Sequence, residues 1–265
     1  METKQLVMEL EFEKSNGNGS TTYLTHNFHT YPAKFIPQIP KSTIKALTRE
    51  GDIILDPFCG CGTTLVEAKL LNRRAIGVDL NPIATLVSKA KTNKIDIKQI
   101  SLIPNLLSEI KRGIDDFYKK KKVSIAYNIP SFNNLTHWFQ SNVLNELGII
   151  KAHIDKIDDE HFRNYLYTAF SSIIVSVSNQ ESDTRFAAIS KDIKPFRTFF
   201  EFSRKLESMN DRMIEFSEKA SDSDIKIFTA DTQNMKFLKE NSIDHIVTSP
   251  PYANTYDYYL YHKFR

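Results

Sequence analysis

The stretch Asp56-Pro-Phe-Cys-Gly-Cys-Gly-Thr-Thr-Leu-Val-Glu-Ala68 constrains this chain more than any other. The apolar run Ile53-Ile54-Leu55 precedes it, and a helical pattern with Leu65, Val66, Ala68, Leu70 and Leu71 comes after it, ending near Asn72-Arg73-Arg74. Strand, glycine-rich turn and helix in that order open a nucleotide-binding βαβ unit. Gly60 and Gly62 let the backbone turn tightly and approach a ligand where a Cβ would collide. Thr63 or Thr64 can offer a hydroxyl to the first helical turn. The next apolar run, Arg74 to Asp79, ends on an acid that lies 23 residues after Asp56 (79 − 56). That is close to the ~20 expected for a carboxylate on the hydroxyls of a ribose.

The loop lacks the third glycine that dinucleotide folds devote to pyrophosphate, and it lacks the Lys-Ser/Thr of a P-loop. A nucleoside ligand without phosphate points to S-adenosylmethionine; a tight strand-to-helix turn with no ligand is the bland alternative. Composition adds bounds rather than direction. The 265 residues, 41% hydrophobic and 25% charged, describe an ordinary soluble globular chain able to bury a sizeable core. A formal charge of +3 permits nucleic-acid binding without arguing for it. Cys59 and Cys61 are the only cysteines, too close together for an ordinary disulfide and without partners for a zinc site. No metal is expected, and reduced loop cysteines suit a cytoplasmic location. No signal peptide and no run of 18 apolar residues is present, so no membrane association is expected.

Along the chain, residues 1–50 read as an N-terminal arm and lid. His26 to Pro40 holds Pro32, Pro37 and Pro40 among several aromatics, an extended segment that cannot be a core helix. It either covers the sheet edge or forms a lid whose Tyr31, Lys34 and Phe35 touch a ligand. Residues 51–91 form the ligand-binding α/β segment. Residues 92–222 carry helical periodicity and read as a largely helical insertion and a candidate DNA-contacting region: the basic run Lys119–Lys122 is first a solvated helix end and second a phosphate contact, and the loop Lys191–Arg197 could lie along a nucleic-acid backbone. Ser171–Ser178 fits a continued helix or a strand. Residues 223–265 return to α/β: Ile225–Phe228 and Ile243–Val247 are strands, succeeded by Asp231 and by Thr248-Ser-Pro-Pro-Tyr252. Ligands bind beyond the carboxyl ends of parallel strands, so Asp56, Asp79, Asp231 and Ser249 are expected to share one crevice.

Ser249-Pro250-Pro251-Tyr252 has a specific use. Paired prolines aim carbonyls outward, so a planar amino group can donate to Ser249 Oγ and to the Pro250 carbonyl while Tyr252 stacks on its ring. A base must leave the duplex to reach such a pocket. At these residues, at Asp56–Thr63 and at Phe28–Phe35, the chain resembles the amino-methyltransferases of DNA that modify cytosine-N4 or adenine-N6. The resemblance implies a Rossmann-like class I methyltransferase α/β sheet, S-adenosylmethionine as cofactor and double-stranded DNA as partner. It makes Tyr31, Lys34, Phe35, Asp56, Phe58, Gly60, Gly62, Thr63, Asp79 and Asp231 cofactor-binding, with Asp79 on the ribose and Asp231 on the adenine amino group. Ser249, Pro250, Pro251 and Tyr252 become the catalytic motif. Serine at the head of that motif favours cytosine-N4, and the resemblance implies a restriction–modification or defence role.

The chain also departs from the family. The long insertion falls before the third strand, and the later strands of a seven-stranded sheet are missing. The segment 256–265 reads as an amphipathic helix just beginning. An N-terminal half is expected, either of a split enzyme whose second polypeptide supplies the rest of the sheet or of a truncated gene. Two alternatives stand beside this reading: an RNA guanine amino-methyltransferase, and a non-catalytic half of a split enzyme.

Overall fold

The computed structural model describes residues 20–183, 185–251, 263 and 264; Tyr252 and the segment 256–262 lie outside the described residues. Among the described residues, four parallel strands form one sheet in the order β3-β2-β1-β4. They are β1 (Ile53–Asp56), β2 (Arg74–Asp79), β3 (Ile225–Thr229) and β4 (His245–Ile246). Leu55 lies opposite Ile76 of β2 on one side and Ile246 of β4 on the other, which fixes the register at the centre. The last strand is shorter than its Ile243–Val247 apolar run suggests, and among the described residues it pairs only with β1.

The helices pack in two layers beside the sheet. The first contains α1 (Gln38–Leu47), α2 (Thr63–Leu70) and α3 (Pro82–Thr92). Seven consecutive residues of α2, Thr63 to Lys69, are buried, as befits a helix with neighbours on both sides. Leu65 and Ala68 pack with Ile54, Ala75 and Val247 of the sheet region, whereas Val66 joins the larger core on the far side. That far layer holds α4 (Ile97–Tyr118), the short α5 (Leu135–Trp138), α6 (Ser141–Asp155), α7 (Glu160–Val177) and α8 (Arg197–Lys219). In α8 the buried Phe199, Phe202, Leu206, Met209, Met213 and Phe216 recur at helical spacing and face the shared core.

Two ambiguous stretches take definite form. Ser171–Val177 continues α7 as a helix. The extended proline segment ends earlier than its composition suggests: Pro37 caps α1, which starts at Gln38 and keeps Pro40 in its first turn. A proline is tolerated there because first-turn amides have no intrahelical acceptor.

The basic loop 191–197 is largely spent on structure. Lys191 Nζ donates to the carbonyls of Val175 and Gln180 at the end of α7, Lys194 pairs with Asp192, and Arg197 pairs with Glu201. The fully buried Glu146 of α6 fastens the outer layer. It accepts from Tyr118 Oη at 2.5 Å and from the amides of Phe196 and Phe199 at 2.7 and 3.2 Å, serving the open N-terminus of α8.

Candidate active site

The carboxyl ends of the strands open into a crevice of about 840 Å³. Its lining includes Asp56, Asp79, Asp231 and Ser249, one residue ending or succeeding each of the four strands. Parallel strands place their carboxyl ends on one edge, so positions remote in sequence meet. Tyr31, Lys34, Phe35, Phe58, Gly60, Thr63 and Pro251 line the same space. Two further candidates stand apart. Gly62 is buried behind the loop against Ser88, and Pro250 is exposed outside the lining.

The turn after β1 is built by hydrogen bonds from several directions. Gly60 has φ +48 and Gly62 φ +78, left-handed values that L side chains rarely adopt. Asp79 Oδ2 accepts from the Gly60 amide at 2.8 Å, and its Oδ1 accepts from the Asn81 amide at 2.9 Å. The acid at the tip of β2 thereby holds the turn after β1 and begins α3. Burial raises its pKa above the ordinary carboxylate value, partly offset by those two amides.

Asp56 is more deeply placed, at 3% exposure. It accepts from Thr248 Oγ1 at 2.7 Å and from the Phe58 amide at 3.2 Å. Burial pushes its carboxyl up from 3.8 to about 6, against the pull of those donors. The Thr248 bond links the turn after β1 directly to the segment carrying Ser249. Thr232 Oγ1 donates to the Pro57 carbonyl at 2.6 Å and fastens the loop after β3 to the same turn. Asp231 is exposed, with Oδ1 accepting from the Gln233 amide at 2.9 Å.

The described part of the N-terminal arm packs on α2, α3 and α8 and supplies one wall of the crevice. A 3-10 turn at Leu24–Asn27 seats His26 beside Glu67 of α2. Glu67 Oε1 accepts from Tyr23 Oη at 2.6 Å and pairs with His26 Nε2 at 2.7 Å. Burial lowers the His26 pKa to about 4, so the neutral ring donates through Nε2. His29 bridges the Thr30 carbonyl at 2.6 Å and Ser171 Oγ of α7 at 3.0 Å, which places Tyr31 at the crevice wall.

Sequence reasoning missed Leu80, Asn81, Ile83, Thr232, Gln233 and Lys263, all in the lining. Leu80 carried a signal: it directly succeeds the acid that ends β2. Its side chain is 73% exposed, an apolar group standing at a ligand crevice. Lys263 carried none, since its place depends on where the chain returns. No helix among the described residues is long and apolar enough to cross a membrane.

A family model described as DNA methylase matches residues 7–89, the arm, the glycine turn and α3. The type II methyltransferase M.MvaI of Kocuria varians is 29% identical over 93% of this chain and 57% of its own length. The type II methyltransferase M.MjaII of Methanocaldococcus jannaschii is 24% identical over 98% of this chain and 65% of its own. The chain thus spans between about half and two thirds of these relatives. A shorter match, 36% over 28% of this chain and 22% of the relative, is to the tRNA (guanine(10)-N2)-dimethyltransferase of Methanocaldococcus jannaschii. No solved structure matches.

Proposed function

We infer the function from a premise of kinship: the chain is a homologue of the amino-methyltransferases of DNA, the N4/N6 family. It carries the cofactor turn and the catalytic motif of an enzyme that moves a methyl group from S-adenosylmethionine to the exocyclic amino group of a flipped base in duplex DNA. Cytosine-N4 is favoured over adenine-N6 by Ser249 at the head of the motif. The single observation that carries this reading is one crevice lined by Asp56, Asp79, Asp231 and Ser249.

The residues present suit the cofactor. A Cβ on Gly60 would sit 3.4 Å from the Tyr31 ring, so the turn and the arm leave a narrow cradle there. Asp79 would take the ribose hydroxyls, Asp231 the adenine amino group, and Leu80 and Ile83 the apolar face of the ring. Bound S-adenosylmethionine would supply an electrophilic methyl on a sulfonium. Ser249 Oγ and the Pro250 carbonyl would accept from the target amino group, freeing its lone pair for in-line attack, and Tyr252 would stack on the base. Catalysis then rests on alignment, with no covalent protein intermediate. Cys59 and Cys61 take no part as nucleophiles; both are buried in the cofactor turn, and burial raises the Cys59 thiol well above its ordinary pKa.

A further strand beside β4, from a longer chain or from a partner polypeptide, belongs to the same proposal, supported by the exposed Ile246, which is 64% accessible. The test incubates the chain with labelled S-adenosylmethionine and unmethylated duplex DNA, then transfer RNA, and analyses the nucleosides. Label in N4-methylcytosine is expected. Label in transfer RNA alone would overturn the DNA reading, an outcome given weight by the tRNA-enzyme match.

A further inference from the structure

Under the glycine turn lie two buried polar side chains of α3 that no step above uses. Ser88 is 0% and Lys91 1% exposed, one helical turn apart on the same face. Ser88 Oγ donates to the Gly60 carbonyl at 2.8 Å. Lys91 Nζ donates to the Cys61 carbonyl at 2.8 Å and lies 3.6 Å from Cys61 Sγ. Consecutive carbonyls of the turn are therefore both drawn toward α3.

A buried ammonium is costly to keep. Burial lowers the Lys91 pKa from the ordinary lysine value, and nearby Lys34 adds to that; the Cys61 thiol, its hydrogen bond and the Glu67 carboxylate act the other way. A methionine would fill the same volume without that desolvation. The side chain is instead spent on a carbonyl of the turn.

The consequence comes from peptide geometry. The C=O and N–H of a trans peptide point in opposite directions, and no peptide bond among the described residues is cis. With the Gly60 carbonyl held by Ser88, the Cys61 amide hydrogen points away from Ser88. It donates to no protein acceptor among the described residues. Gly60 and Cys61 both line the crevice. The Gly62 amide is already spent on the Cys59 carbonyl at 2.7 Å, so the turn offers the Cys61 amide hydrogen, with Ser88 holding the carbonyl of its own peptide and Lys91 the next one, a setting for an anionic group.

We propose that Ser88 and Lys91 are positioning residues for the carboxylate of the cofactor's amino-acid end, acting through the backbone of the turn. This assignment rests on the S-adenosylmethionine reading above. It predicts that the two residues matter for a ligand bearing the amino acid and not for the nucleoside alone.

The experiment is calorimetric titration of the whole chain with S-adenosylhomocysteine and, separately, with 5′-methylthioadenosine, which keeps the nucleoside and lacks the amino acid. Lys91→Met is expected to weaken S-adenosylhomocysteine about tenfold, the size of one charge-assisted hydrogen bond, and to change 5′-methylthioadenosine by less than about twofold. Ser88→Ala should show the same pattern with a smaller loss, and it carries the test alone if thermal unfolding shows that Lys91→Met does not fold. Parallel weakening of both ligands, or no weakening of either, overturns the assignment. A wild-type chain that binds neither ligand sinks the cofactor reading and this assignment with it. A wild-type chain that binds both, with variants that do not discriminate, removes this assignment alone.

Discussion

Replacing Asp56 by Asn tests the electrostatics at the centre of the site. Its carboxyl is raised from 3.8 to about 6 by burial, and Thr248 and the Phe58 amide recover only part of the cost. A displacement of that size corresponds to about 3 kcal/mol at neutral pH. The sign is set by linkage: the folded state binds the proton more tightly, so stability is greatest below pH 3.8, falls as pH rises toward 6, and stays low above it. Asn cannot ionise, yet it keeps an oxygen to accept from Thr248. Asp56→Asn should therefore raise the melting temperature near pH 8 by about 5–10 °C, with little change near pH 4.

His26, lowered from 6.5 to about 4, imposes the opposite slope in the wild type, since stability from a neutral buried histidine is lost as pH falls through that range. The informative quantity is thus the difference between variant and wild type at each pH, measured by scanning calorimetry. A difference that does not change with pH would refute the reasoning, because it would mean that Asp56 titrates alike in both states.

Other perturbations give sharper local outcomes. In Gly62→Ala the new Cβ would meet Ser88 Oγ at 2.7 Å at a φ of +78, so the variant should lose about 1–3 kcal/mol in denaturant titration and lose cofactor binding with it. Glu146→Ala leaves Tyr118 and two amides of α8 without their acceptor. A loss of about 3 kcal/mol in urea unfolding is expected, against a much smaller one for Glu207→Ala on the exposed side of α8. His26→Asn should flatten the acid limb of the stability profile between pH 6.5 and about 4, read by thermal melts across that range. Ser249→Ala should abolish most methyl transfer in the nucleoside assay while leaving S-adenosylhomocysteine affinity within about twofold, since its proposed role is on the target amino group.

Much of the site was legible because it depends on backbone requirements that single residues announce. Gly60 and Gly62 mark a turn that needs left-handed conformations, Asp79 ends a strand, and the two prolines after Ser249 stiffen the segment leaving β4. The four strands were legible as short runs of apolar β-formers ending at turn residues; periodicity alone did not separate strand from helix, and it left Ser171–Ser178 open until α7 was seen to continue through it. The start of α1 was not legible, because prolines at 37 and 40 read as breakers until the helix is seen to begin between them.

Which polar side chains are buried, and against what, was decided only by tertiary structure. Glu67 with Tyr23 and His26, Lys91 with the Cys61 carbonyl, Glu146 with the start of α8, and Lys191 with the end of α7 all join distant positions. A buried charge is tolerated only where a partner meets it in space, and nothing in the local run of residues specifies that partner. The sequence alone determined the turn, the strand ends and the chemistry they could host. The packing of α2 and α3 against the sheet decided which carbonyls of that turn face inward and which amide hydrogen points away from α3.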